Sequence, residues 1–325
     1  MLGKTEAGDA HLRSSREHII FNSLGGPSGL VTEDVCKGCN SKLGDGIDAD
    51  FLNEDIIVVL RQMHSLPGYS GKVPDLKAPA TSIQTGEPHR MRISPDGPVN
   101  FSRNPERNKS IDEEGRTVFQ LAGDKGQLRE ILRGMQEKYE KQGLSLSEID
   151  GTPITDLDAS IDQAPRIESR EFKVRHVLNI ENLHRGLIKT AFNFAHLVLG
   201  SEWTFGPDGA RFRDAIQGKE DGFEMKAMML QLDPEFRDRL PLSPPLAKNE
   251  HVIILCPSQQ LVLISLLGEA LLSFAVKLET PSILLERAVS DSGRMLVRAS
   301  PSGGGATWLS YEEVMLALGR KLLAR

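Results

Sequence analysis

Between Arg16 and Asn40 the chain gathers more chemistry than anywhere else along its length. Arg16-Glu17-His18-Ile19-Ile20 sets a carboxylate beside an imidazole, Leu24-Gly25-Gly26 marks a tight turn, and Asp34-Val35-Cys36-Lys37-Gly38-Cys39-Asn40 brings a thiol pair followed by an amide. A stretch this short and glycine-rich suits a compact hairpin held by a site more than by a core. Hard divalent cations take oxygen ligands, and Glu17 and Asn40 supply a carboxylate and an amide carbonyl. A neutral imidazole with a pKa near 6.5 is a serviceable base at neutral pH, which gives His18 a role beside them.

The remainder reads as an ordinary α+β protein. Ile47, Phe51, Leu52, Ile56, Val59, Leu60 and Met63 recur at helical spacing until Pro67-Gly68 stops the run. Residues 67–120 are rich in Pro, Gly and Ser and are expected to form a linker with small strands, HRMRI and TVFQL among them. An amphipathic helix is expected over 124–142, from Leu128, Ile131, Leu132, Met135 and Tyr139, and a strand over 170–177. The best-patterned helix spans 180–199, with Ile180, Leu183, Leu187, Ile188, Ala191, Phe194, Ala195 and Val198 on its buried side. The apolar runs FEMKAMMLQ, HVIILC, QLVLISLL and ALLSFAVKL then suggest an antiparallel meander, and Ser310 with Glu313 matches a capping box opening a last helix. The expected division is a module at 1–66, a linker with small strands at 67–120 and a C-terminal α+β domain with an antiparallel sheet at 121–325.

The Glu-His, Gly-Gly and Cys-x-x-Cys-Asn elements, in that order, resemble the HNH endonuclease family. The resemblance covers residues 1–66 and implies a ββα-metal module, a hairpin followed by a helix with one catalytic metal between them. The acid-His pair would lie on the first strand and Cys-x-x-Cys-Asn at the entrance to the helix, and the 22 positions from His18 to Asn40 agree with that. By resemblance, His18 would be the general base that deprotonates water for in-line attack on a phosphodiester of DNA. Glu17 and Asn40 would hold Mg²⁺ or another divalent metal. The family's middle Asn falls within Val31-Thr32-Glu33-Asp34, so Thr32 or Asp34 would take its place, and Phe21 stands where relatives often carry Pro.

Relatives also commonly carry a second Cys-x-x-Cys before the acid-His strand, so that four thiolates hold a structural Zn²⁺. Here nothing before Arg16 is cysteine, and Cys36 and Cys39 make half of such a site. Structural zinc contributes on the order of 10–16 kcal/mol in small modules. Either packing on the C-terminal domain compensates, or the native start lies upstream of Met1; Gly3-Lys4-Thr5-Glu6 looks like residues that follow a Cys pair in relatives. The incomplete thiol set also motivates the competing reading, a catalytically degenerate HNH-fold protein that binds nucleic acid or regulates.

Charge and cysteine usage narrow the setting. Three cysteines do not make a disulfide framework and point to a reducing, cytoplasmic compartment, and no apolar run is long enough for a membrane helix. With 39 Lys+Arg against 45 Asp+Glu, bulk charge does not favour nucleic acid. Docking on DNA would need the basic 166–189 segment, with Arg170, Lys173, Arg175, Arg185 and Lys189 as candidate phosphate contacts, or a second subunit in a homo-oligomer. The plain alternative for that segment is a solvated helix face. Asp48 is read as capping the helix start or as supporting the metal site from behind. His11, His184 and His196 are read as solvated or core-edge histidines, Cys256 as a buried inert thiol, Met225, Met228 and Met229 as core filler, and PSGGG at 301–305 as a flexible loop.

Overall fold

The computed structural model describes residues 13–103, 105–164, 171–219, 228–229, 249–269, 272–301, 305–314 and 316. His11, Gly3-Lys4-Thr5, Arg166, Arg170, Met225 and the middle of the PSGGG loop lie outside them.

Strand β1 (Ser14–His18) pairs antiparallel with β2 (Val31–Cys36), and helix α1 (Lys37–Leu43) follows directly, so the expected ββα order is present. Cys36 caps α1 with its own sulfur, which accepts the Cys39 N–H at 3.1 Å. A π-helical turn at 44–48 carries the helix into α2 (Ala49–Leu52), and α3 (Asp55–Met63) comes after a break. The single helix expected over 47–63 is therefore interrupted at Asn53-Glu54. The reason is Glu54, whose buried carboxylate accepts the Asn179 N–H at 3.0 Å and the Asn182 amide at 2.7 Å, and whose backbone is extended for that purpose. Met63, expected on the apolar face, is exposed.

The contacts divide the chain into two compact units, one made of Met1–Pro74 with Leu178–Arg325 and the other of Asp75–Val177. This differs from boundaries at 66 and 120, and strand pairing explains why. In the middle unit β3 (Leu76–Ser82) pairs with β4 (Pro88–Ile93) on one side and with β8 (Phe172–Val174) on the other, while β5 (Val99–Arg103) extends the sheet beyond β4. Residues near 80 and near 174 thus share one sheet, and the stretch expected as a linker is structured. Between them lie the hairpin β6 (Glu106–Ile111) and β7 (Thr117–Ala122), then α4 (Lys125–Glu140) and α5 (Leu157–Gln163). Helix α4 opens on a capping box between Asp124 and Gln127.

In the first unit, α6 (Ile180–Phe205) begins where the periodicity placed it and breaks at Gly200, whose φ of 81° stops the regular helix after residue 199. Ile180, expected to be buried, is exposed; the other seven apolar positions of that face are buried. After α7 (Pro207–Ile216) come β9 (Met228–Met229), β10 (His251–Cys256), β11 (Leu261–Ser265), β12 (Ser273–Lys277), α8 (Ser282–Ser292), β13 (Leu296–Ala299) and β14 (Thr307–Leu309). Strands β10 to β12 form the expected meander, and β13 returns to the free side of β10, giving the antiparallel order β14-β13-β10-β11-β12-β9. Ser310 and Glu313 bond each other's backbone N–H as a capping box. No helix among the described residues is long and apolar enough to cross a membrane.

One hydrophobic core joins the hairpin module to the rest of its unit. Ile19, Ile20, Phe21, Leu24, Leu30, Phe51 and Ile57 belong to the same buried cluster as Leu187, Phe194 and Phe212 and the strand residues Ile253, Val262 and Val276. His251 fastens this arrangement. Fully buried on β10, it donates from Nε2 to the Leu24 carbonyl at 2.9 Å and accepts the Leu267 N–H at Nδ1, so the ring is neutral. Burial pushes its pKa down from 6.5 to about 4. The unfolded imidazole titrates at the higher value, so as pH falls from about 6.5 toward 4 the unfolded chain takes up the extra proton and native stability is lost. Urea titrations at pH 7 and pH 5 are expected to differ by about 2 kcal/mol from this group alone. In His251→Gln that part of the difference should vanish; an unchanged pH slope would refute the assignment.

Candidate active site

The hairpin is irregular at the point where its chemistry sits. Ser15 pairs with Val35 but Glu17 pairs with Thr32, so β2 carries one extra residue there. Thr32 supports this bulge by accepting the Asp34 N–H on its hydroxyl at 3.3 Å. Bulges bend a strand and re-aim its side chains, and here Glu17 points into the protein while His18 stays half-buried.

What Glu17 meets inside is a lysine from α6. Lys189 Nζ lies 2.5 Å from Glu17 Oε1 and 2.5 Å from Asp48 Oδ1, with Glu17 and Lys189 almost wholly buried and Asp48 partly so. The ammonium also sits 5.2 Å from the centre of the Phe21 ring, which stacks on Phe51 at 4.6 Å. This approach depends on Gly186. A Cβ there would stand 2.4 Å from Phe51 Cδ2, so only glycine lets α2 lie against α6 closely enough for Lys189, three residues on, to reach the hairpin. Asn193, one turn further, points its amide at Glu17 Oε1 at 3.5 Å and at the His18 carbonyl at 3.4 Å. His196, another turn on, binds Asp34 Oδ2 through Nε2 at 2.8 Å and the Thr204 hydroxyl through Nδ1 at 2.6 Å.

The electrostatics follow from burial. Desolvation pushes the Glu17 and Asp48 carboxyls above the usual carboxylate range, and the Lys189 ammonium pulls both partly back. His18 is pushed below its ordinary value, first by burial and then by the charges of Arg16 and Lys189, against a smaller opposing pull from Asp48. Its neutral, proton-accepting form is therefore favoured.

The sequence-derived residues are only partly brought together. Asn40 donates from Nδ2 to Ser15 Oγ at 2.9 Å and to the Arg16 carbonyl at 2.9 Å, tying α1 to β1. Asp48 joins the Glu17 cluster directly. Thr32 lies buried across the hairpin from Glu17, and Asp34 turns to His196. Cys36 and Cys39 are reduced and adjacent at the head of α1, and the hydrogen bond from Cys39 draws the Cys36 thiol below its usual value. Among the described residues no group of three or more His, Cys, Asp and Glu could hold a metal ion. A closed zinc site takes four ligands, of which the two thiols are half.

One of the expected phosphate contacts, Lys189, is not at the surface. Lys189 is buried and ion-paired, so it presents no charge to a phosphate, and Arg185 donates from Nε to the Ile216 carbonyl at 3.0 Å. Lys173, on β8, and Arg175, just past it, are exposed and belong to the other unit. Lys189, Asn193 and His196 were open to detection as contacts with the module: they recur at i, i+4 and i+7 on a helix whose other residues in that stretch are apolar except Thr190.

A hairpin with an acid-imidazole pair on its first strand and a thiol-capped helix entering at Cys-x-x-Cys-Asn form a ββα module. Residues 4–56 match the family model for HNH endonuclease, and the N-terminal part of this α+β chain is an HNH module. No curated protein and no solved structure matches the chain. At the level of the family the module implies nuclease activity on DNA, and HNH nucleases generally use divalent metals.

Whether these residues fit a resident divalent ion can be judged from Glu17. Its carboxylate already faces a buried ammonium, and Asn40's amide is turned to β1. An ion held at Glu17 would compete with that ammonium, whereas the Nδ2 bonds of Asn40 do not engage Oδ1, the atom a hard cation takes. Removing the ammonium leaves two carboxylates without their counter-charge, a loss that costs about 3–5 kcal/mol for a buried pair. Urea denaturation of Lys189→Ala should show a destabilisation of that order, and a change below about 1 kcal/mol would show that the cluster contributes little.

Proposed function

We propose that this chain is an endonuclease that hydrolyses phosphodiester bonds in DNA, with His18 as the general base. The observation that carries this reading is the position of His18, on the first strand of a module matched by the HNH endonuclease family, half-buried and biased toward its neutral form. In the proposed step the imidazole takes a proton from water as the water oxygen bonds to phosphorus. The bond to the 3′ oxygen breaks in line, and that oxygen leaves with a proton from solvent. Arg16 is the exposed cation whose charge acts most strongly on the His18 ring, and it is the group we assign to the phosphate. Its guanidinium is braced by the Ser28 carbonyl at 2.7 Å.

A second reading, a catalytically degenerate HNH-fold protein that binds nucleic acid or regulates, is favoured by one observation. The carboxylate expected to serve catalysis is neutralised from within by Lys189.

Incubation of supercoiled plasmid with the purified chain, in Mg²⁺, in Mn²⁺ and in neither, separates the two. Wild type is expected to nick the plasmid, and His18→Ala to lose about 100-fold or more of that rate, the usual contribution of a positioned base. Equal cleavage by the variant would remove His18 from the mechanism. DNA retention in a gel shift without cleavage under any condition would establish the second reading.

A further inference from the structure

The outer face of the sheet in the middle unit gathers charge of one sign. Alternate residues of a strand share a face, and in β3 Leu76, Ala78, Ala80 and Ser82 are buried while Lys77, Pro79 and Thr81 are exposed. Strand register lays that exposed face out in rows: Lys77 stands opposite Arg92, Pro79 opposite Arg90, and Thr81 between Pro88 and Lys173. Arg175 donates its N–H to the Pro79 carbonyl at 3.0 Å, so it flanks Pro79 on the side away from Arg90. The five exposed cations lie on three neighbouring strands, within about 10 Å across them and about 13 Å along them at the level of the backbone. The apolar interior is on the other face, where Phe101 of β5 stacks on Phe172 of β8 at 4.0 Å, and the cations take no part in it.

An ordinary solvated face mixes both signs, and acids outnumber bases in this chain, 45 to 39. Yet none of β3, β4, β5 and β8 holds Asp or Glu. The acids that border the face sit in its turns and approaches. Glu87 pairs with Arg103 at 2.7 Å and Asp75 with Arg92 at 2.6 Å, while Asp96 and Glu171 are exposed. Lys77, Arg90, Lys173 and Arg175 make no ion pair with a described residue. We propose that this face is where the chain grips duplex DNA, its phosphates lying across β4, β3 and β8 against Arg90, Lys173 and Arg175, with Lys77 and Arg92 beside them. A polyanion is the partner whose charge matches a dense patch of one sign, and each phosphate neutralised releases condensed counterions. Such contacts hold the backbone and carry no sequence information of their own. The inference deepens the nuclease reading, which supplies the occupant, and assigns docking to the middle unit.

Fluorescence anisotropy of the full chain with a labelled DNA duplex of about 30 base pairs, in EDTA and between about 50 and 200 mM salt, tests it. Combining Arg90→Ala, Lys173→Ala and Arg175→Ala is expected to weaken binding at least about tenfold at the lower salt. The slope of log affinity against log salt should flatten by about 2–3, close to one for each phosphate contact removed. The same loss of charge along α4 and its cap, by Arg133→Ala, Lys138→Ala and Lys141→Ala, should leave the slope within about 0.5 of wild type. Should the combined variant not fold by circular dichroism, the three single variants decide, each expected to flatten the slope by about one. A wild-type slope in the face variants overturns the proposal, as does an equal change in the α4 control. So does a wild-type chain that binds no DNA duplex, or one that binds an RNA duplex of the same length more tightly. Plasmid nicking reports on the nuclease reading separately. Nicking beside an unchanged slope removes the docking face alone, and salt-dependent docking on the face without nicking keeps it while removing the catalytic reading.

Discussion

A single ammonium group holds the acidic heart of the module together with the rest of its unit. Burying a carboxylate is costly unless a counter-charge meets it, and the bulged hairpin turns Glu17 inward with Asp48 close by. Lys189 answers both. Its reach in turn requires Gly186, since any side chain there would meet the Phe51 ring, and Phe51 carries the Phe21 ring over which the ammonium rests. Change any of these and the hairpin's inward carboxylate lacks its partner. The Phe found where HNH relatives often have Pro thus has a local reason to be aromatic: it offers a π face to the cation.

The same packing answers the question that the incomplete thiol set raises. A short hairpin with few apolar residues depends on something beyond itself, and here those residues lie in one core with α6, α7 and the six-stranded sheet. His251 adds a directional tie by holding the Leu24 carbonyl, and Glu54 adds another at the N-terminus of α6.

Local chemistry was legible in the sequence where it is set by neighbours in the chain. The Gly turn, the thiol pair at a helix entrance, the capping box at Ser310 and the 180–199 helix are all decided within a few residues of themselves. What could not be read depends on partners far along the chain. Glu54 breaks a helix that its own neighbourhood favours because Asn179 and Asn182 claim its carboxylate. Lys189 is one more basic residue in a basic segment until Glu17 and Asp48 are seen beside it. Residues 67–120 carry loop-like composition, yet β3 is the centre of a sheet because β8 returns to its free edge. Asn40 shows the limit within the module: spacing places it at the helix entrance, but the direction of its amide is set by Ser15 and Arg16.

The order of these parts along the chain has a consequence in time. The unit that contains the HNH module is interrupted by residues 75–177, which leave and rejoin at neighbouring points, β3 and β8 being paired. During synthesis the hairpin, His18 and Glu17 therefore emerge from the ribosome long before Lys189 and the sheet that buries them. A half-made chain presents β1 without the core that buries its neighbours. Burial of Glu17 and the apolar residues beside it therefore waits on completion of α6 and the strands after it.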